Sequence, residues 1–260
     1  MVLRTRRSLG FLAAVLAFAW PVLTACGDAT PASPSPQAIE TAESVSRPVS
    51  LPAPFSNTPE SGDDEKEPII LNGRVFGSGP TGVILSHMRL GDQTAWYPFA
   101  TELAGTGDYT VMTFDFRGFN DSTGDKQFDR IDTDLAAALD YMRDSLGIEK
   151  VFLIGASIGG TASLLVASRD NVAGVATVSA VGQFPPFEVV EAVAGIDEPK
   201  LFITSEDDVP QARSQEEFWE VAPRPKQEHL YEGDAHGTDL FDSPHADDLK
   251  SRLVAFLAAN

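Results

Sequence analysis

A single cysteine, Cys26, stands among the 260 residues, so the chain closes no internal disulfide and has no thiol for metal or nucleophilic chemistry after that position. Basic residues are scarce as well: 19 Lys and Arg face 38 Asp and Glu, a formal charge of −19 at pH 7. A surface that negative repels phosphate backbones, and nucleic acid is not expected as a partner. Beyond residue 25 no apolar run is long enough to span a bilayer. No cluster of His, Asp and Glu has metal-ligand spacing, so neither a metal nor another cofactor is expected. What is present is enough apolar material, 43% of residues with 9% aromatics, to bury at least one full core.

The start of the chain is of a different character. Arg4, Arg6 and Arg7 precede an apolar stretch from Phe11 to Leu23, and "LTAC" follows at Leu23 to Cys26. This resembles a bacterial lipobox. The resemblance implies that residues 1–25 are a signal peptide, that Cys26 becomes an acylated N-terminus, and that the protein is extracytoplasmic and anchored to the cell membrane. An ordinary cleaved signal, or a short membrane helix with a chance cysteine, is the alternative. Removing residues 1–25 takes three arginines and no acid, which carries the charge from −19 to −22. Residues 26–68 are rich in Pro, Ser, Ala and acids and show no apolar periodicity, so they are expected to form a disordered tether. A coil of that length spans roughly 35 Å root-mean-square.

From residue 69 to 260 strand-like and helix-like segments alternate. Apolar, β-branched runs at 69–76, 82–86, 109–114, 150–154, 173–179, 200–204 and about 227–231 read as strands. Helical spacing appears at 96–103, 131–146, 158–168, 213–221 and 244–258. The pattern predicts an α/β domain: a mostly parallel sheet of about seven strands, helices on both faces, and chemistry at the carboxyl ends of the strands.

"FLIGASIGG", Phe152 to Gly160, lies at one of those ends. Its serine fits GxSxG as Gly155, Ser157 and Gly159, between a predicted strand and a predicted helix, the setting a nucleophile elbow needs. A phosphate-cradling loop is the rival reading, but "GASIGG" is neither GxGxxG nor a loop ending in GK[ST]. A purely structural turn is the third. A serine nucleophile requires a base held by a third group. "LFITSEDDVP" supplies acids and "LYEGDAHGTDLF" a histidine, both after Ser157.

These segments together resemble the α/β-hydrolases of the serine esterase type. "GVILSHMRLGDQTAWYPFATELA" is similar to their strand, oxyanion turn and following helix, and "TFDFRGFNDSTG" to their DxRGxGxS segment, with Asn120 where glycine is more usual. The resemblance covers residues 69–260 and implies Ser157 as nucleophile, His236 as base, and Asp208 as acid with Asp207 as runner-up. It also implies oxyanion donors on the backbone N–H of Ile158 and of Arg89, or of Met88 if the turn is shifted by one residue. His87 belongs to that turn; His229 and His245 are expected to be structural, as are Arg117 and Asp121. The short interval between residues 179 and 200 leaves no room for a large cap. Met88, Trp96, Phe119, Phe184, Phe187 and Phe241 are expected to line an open, apolar site. The implied function is cleavage of small-molecule carboxylic esters through an acyl-enzyme. Other acyl bonds (amide, thioester, lipid ester) and an idle fold used as a binding module are the alternatives.

Overall fold

A computed structural model describes residues 34–54 and 68–260; residues 1–33, with the expected signal and Cys26, and residues 55–67 lie outside the described residues. The chain runs through α1 (Pro36–Ser44), β1 (Ser46–Ala53), β2 (Ile69–Gly77), β3 (Thr81–Ser86), α2 (Tyr97–Ala104), β4 (Tyr109–Phe114), α3 (Ile131–Asp140), β5 (Val151–Ala156), α4 (Ile158–Ala167) and β6 (Gly174–Val178). Then come the two-residue strands β7 (Gln183–Phe184) and β8 (Phe187–Glu188), α5 (Val189–Ala194), β9 (Lys200–Ser205), α6 (Val209–Val221), β10 (Lys226–Tyr231) and α7 (Ala246–Ala259).

The main sheet has eight strands in the order β1-β2-β4-β3-β5-β6-β9-β10, close to the seven expected. The β1–β2 and β2–β4 pairs are antiparallel and every later pair is parallel. Parallel strands buried on both faces read as unbroken apolar runs, and β3 shows why: Ile84 joins one core, Val83 and Leu85 the other. The first core takes Leu135 and Leu139 of α3, Leu164 and Val166 of α4 and Phe218 of α6. The second takes Phe99 and Leu103 of α2 and Leu253 and Phe256 of α7. Between β6 and β9 only the β7–β8 hairpin and the six-residue α5 intervene, and among the described residues no large cap is present.

The expected tether over residues 26–68 is corrected where the chain is described, because residues 36–53 are folded onto the sheet. Val49, Leu51 and Ala53 alternate with exposed neighbours and are buried, and β1 pairs with β2 over its whole length. Pro48 and Pro52 hid this strand from sequence reading. Both have the same parity, so both turn their missing N–H to the outer side of an edge strand, where proline costs no ladder bond. The α1 helix is started by Ser35, whose Oγ accepts the Ala38 N–H at 3.2 Å. Arg74 of β2 fastens the junction, donating to Ser46 Oγ at 2.7 Å and to the Glu43 carbonyl at 2.8 Å.

Asn120, the departure from the DxRGxGxS pattern, has φ 42, a left-handed angle that asparagine adopts more easily than most residues. In the same segment Arg117 is buried and bound to Asp134 through Nη2 at 2.6 Å and Nε at 2.9 Å, and its Nη2 also reaches the Pro54 carbonyl at 3.2 Å. Removing one member of a buried pair strands the other's charge, at about 3–5 kcal/mol. Arg117→Leu is therefore expected to lower the urea unfolding free energy by about that amount, and Arg117→Leu with Asp134→Leu to recover most of it. Equal losses in the single and double variants would show that the charge pair is not what the site loses.

Candidate active site

Ser157 stands between β5 and α4 with φ 50 and ψ −115, a strained conformation for a residue with a side chain, costing about 1–3 kcal/mol. The flanking glycines make this turn possible by allowing close approach. A Cβ on Gly155 would lie 2.2 Å from the Gly159 carbonyl, and one on Gly159 would lie 2.3 Å from the Ser86 oxygen of β3. The turn is fixed by the Ser157 N–H donating to Val178 at 2.9 Å. Ile158 is the first residue of α4, so its N–H has no intrahelical acceptor.

His236 follows β10, and its Nδ1 lies 2.8 Å from Asp208 Oδ2, just before α6. A carboxylate only accepts, so Nδ1 is the donor of this bond. Ser157 and His236 line one cavity of about 210 Å³. Asp207 is exposed, and its backbone N–H is engaged by the Gly233 carbonyl at 2.9 Å. Of the two aspartates, it is Asp208 that the fold turns toward the histidine.

Two hydroxyls that the sequence reading passed over connect these loops. The Gly237 N–H, next to His236, donates to Ser179 Oγ at 3.0 Å; Ser179 Oγ is 3.3 Å from Thr204 Oγ1; and Thr204 Oγ1 donates to Asp208 Oδ2 at 3.4 Å. The chain begins at a group that only donates and ends at one that only accepts, so every proton along it points toward Asp208. The available signal was a hydroxyl at the carboxyl end of each of two apolar strands.

His87 is wholly buried beneath the turn after β3. The Phe116 N–H donates to its Nε2 at 3.1 Å, so Nδ1 bears the proton and donates to the Met88 carbonyl at 2.7 Å. The Gly91 N–H donates to the same carbonyl at 3.3 Å. In a planar trans peptide the N–H points opposite to the C=O. With the Met88 carbonyl held down by His87, the Arg89 N–H is turned to the opposite side, where Met88, Arg89 and Leu90 line the cavity.

The apolar lining is smaller than expected. Met88 and Phe184 reach the cavity, with Val181 and Ile158. Trp96 does not: it is core, with its indole N–H on the Ser86 carbonyl at 3.1 Å and its ring edge-on to Phe241 at 5.4 Å. Phe119 packs on His87 at 4.8 Å, and Phe187 stacks on Phe184 at 6.4 Å. Each satisfies its own domain's packing first. His229 sits in β10 against Tyr231 at 4.3 Å, and His245 hydrogen-bonds the Glu232 carbonyl at 3.0 Å. Among the described residues no group of three or more His, Cys, Asp or Glu is arranged to hold a metal ion.

A family model described as alpha/beta hydrolase fold matches residues 83–220. An uncharacterized carboxylesterase of Bacillus subtilis is 31% identical over 118 residues, a stretch covering 44% of this chain and 39% of that protein's length. An esterase of Pyrococcus furiosus superposes with a TM-score of 0.67 at 18% identity, over 88% of this chain and 96% of the esterase. The enol-lactonase of Burkholderia xenovorans does so at 0.61 and 17%, over 73% of this chain and 97% of the lactonase. At these identities the likeness to solved structures concerns the fold alone.

Below the turn two titratable groups are shifted in opposite senses. Burial lowers the His87 pKa from 6.5 to about 4, and burial raises that of Asp115 from 3.8 to about 6 against the opposing hydrogen bonds from Gln93. His87 contributes stability that is lost as the pH falls from 6.5 toward 4, where only the unfolded chain takes the proton. Asp115 contributes stability that is lost as the pH rises from 3.8 toward 6, where only the folded chain keeps it. Between about pH 4 and 6 the two slopes, each up to about 1.4 kcal/mol per pH unit, offset one another. His87→Gln removes one of them. Relative to wild type, its unfolding free energy is expected to decline as the pH rises from 4 to 6, and parallel pH curves for the two proteins would contradict the assignment.

Proposed function

The chain belongs to the alpha/beta hydrolase fold family, and from that premise we propose that it is a serine hydrolase cleaving small carboxylic esters through an acyl-enzyme on Ser157. One observation carries this reading: a serine on a strained elbow shares a cavity with a histidine whose far nitrogen is bonded to Asp208. In the proposed cycle Ser157 Oγ attacks the ester carbon while His236 Nε2 takes its proton. Asp208 holds the Nδ1–H and steadies the imidazolium that forms. The carbonyl oxygen, now negative, is received by the N–H groups of Ile158 and Arg89, each such donor being worth ~10²–10³ in turnover. Collapse expels the alcohol, which takes the proton from His236. A water then repeats the sequence at the acyl carbon, returning the free carboxylic acid and Ser157.

The hydroxyl chain through Ser179 and Thr204 supports this arrangement by tying the histidine loop to the acid. The carboxylesterase and esterase names of the similar proteins favour an ester over an amide or thioester. The decisive test treats the purified chain with a fluorophosphonate probe and short p-nitrophenyl esters. Labelling of Ser157 is expected, together with hydrolysis that Ser157→Ala and His236→Ala abolish nearly equally, because the residues act as one unit. Asp208→Asn should cost on the order of 10⁴-fold and Asp207→Asn little. An unlabelled Ser157 with no hydrolysis of any ester in a panel that includes amides and thioesters would sink the enzyme reading.

The N-terminal pattern supports a second element of the proposal, an extracytoplasmic protein held to the cell membrane through acylated Cys26. Two or more acyl chains on one residue give stable anchoring, whereas one gives only reversible binding. Mass spectrometry of the native N-terminal peptide should find a diacyl or triacyl Cys26. An unmodified start at a later residue would remove the anchor and leave the chemistry as it stands.

A further inference from the structure

The folding of residues 36–53 onto the sheet shortens the link between Cys26 and the domain. Residues 27–33 are all that separate the cysteine from Pro34, and these eight Cα steps reach at most about 28 Å when fully extended. That is less than the width of about 40 Å expected of a folded unit of this length. A lipid on Cys26 therefore decides which face of the domain meets the membrane: the one that carries Pro34.

Pro34 lies at the carboxyl ends of the strands. It lines a cavity of about 100 Å³ with Ala95, Phe99, Thr238 and Phe241, and Thr238 stands two residues after His236. The same end of the sheet holds the two most exposed large apolar residues among those described, Val209 at 65% and Leu90 at 63%. Leu90 is on the wall of the cavity that Ser157 and His236 share. Val209, next to Asp208, borders a second cavity of about 300 Å³, and Val181 is common to both. An exposed apolar residue standing alone is ordinary, but here both stand beside one site. The charge of −22 left without residues 1–25 gives no attraction to an anionic lipid surface, so apolar contact is what remains to hold this face down. We propose that the face carrying Ser157 and His236 rests on the membrane that holds acylated Cys26, with Leu90 and Val209 in the lipid interface, and that the site takes its esters from that surface. Esters that partition into lipid are then preferred over esters that stay in water. This inference rests on the anchor and hydrolase readings above.

The test uses the acylated full chain, purified from membranes and reconstituted in phosphatidylcholine vesicles. With the Cys26 sulfur acylated, a newly placed cysteine is the only free thiol and takes a fluorophore alone. Leu90→Cys and Val209→Cys are labelled in this way. Val45→Cys and Val221→Cys serve as controls, being exposed apolar positions just before β1 and β10, at the opposite ends of the strands. Nitroxide-bearing phosphatidylcholine is expected to remove most of the fluorescence at 90 and 209 and little at 45 and 221. In a second arm, Leu90→Ser with Val209→Ser should lower kcat/KM for p-nitrophenyl octanoate carried in the vesicles about tenfold more than for p-nitrophenyl acetate in water, the lower end of what burying one such side chain gives.

Equal quenching at all four positions, quenching at none, or stronger quenching at 45 and 221 would overturn the placement, with the anchor and the ester chemistry left standing. Equal losses on the two esters in the doubly substituted chain would overturn the supply of esters from the lipid surface. An unmodified Cys26 in the mass spectrum would remove the anchor and this inference together. If Ser157 takes no fluorophosphonate and no ester is cleaved, the hydrolase reading falls, and the quenching pattern still decides which face meets the lipid.

Discussion

The close approach of the first turn of α4 to the ends of β5 and β3 is the contact on which the site depends. Two glycines permit it, Gly155 facing Gly159 and Gly159 facing the Ser86 carbonyl, at separations no Cβ could occupy. Once the helix is pressed that near the sheet, Ser157 has no room to continue the strand and is forced outward at a positive φ. The same contact sets the distance between the elbow and the turn after β3, since Ser86 is the last residue before His87. Trp96 reinforces it from behind by donating to the Ser86 carbonyl. One packing event therefore fixes the nucleophile candidate and the relation between the two backbone N–H groups beside it.

The other half of the site hangs from the neighbouring strands. The order β5-β6-β9-β10 carries Ser157, Ser179, Thr204 with Asp208, and His236 to successive strand ends on one side of the sheet. Loops at strand ends are ordinarily the least constrained part of such a fold. Here a continuous line of hydroxyls spans them, with every proton directed toward Asp208. The carboxylate thus has donors from the histidine and from Thr204, and the backbone beside His236 is held by Ser179. That fixes two loops against each other without burying additional charge.

The parallel strands and the elbow were legible in the sequence because burial on both faces leaves an uninterrupted apolar run, and because the glycine spacing answers a steric demand. The acid was narrowed to two neighbours, and the structure separates them by backbone bonding: the N–H groups of Glu206 and Asp207 are spent on Tyr231 and Gly233, which turns Asp208 inward. Strand β1 escaped notice although Val49, Leu51 and Ala53 keep period two, since prolines in the intervening positions read as breakers when the partner strand is unknown. The hydroxyl chain carried no periodic signal at all. Trp96 and Phe241 were misplaced because a position in a loop does not say which way an aromatic ring faces, and the second core claimed both.

The presence of methionine at position 88 follows from the same constraints. Met88 is buried, and its sulfur occupies the space that a Cβ on Gly237 would meet at 2.9 Å. The side chain thus turns inward between the β3 turn and the histidine loop, and Gly237 is glycine partly to admit it. His87 supplies a tether for this turn, a neutral imidazole holding the Met88 carbonyl so that the Arg89 N–H faces the other way. A protonated imidazole would have no lone pair for the Phe116 N–H, so burial that keeps His87 neutral and the bond that orients the turn are one requirement. The methionine therefore does not obstruct the cavity. It forms part of the cavity wall together with exposed Leu90 and with Phe184.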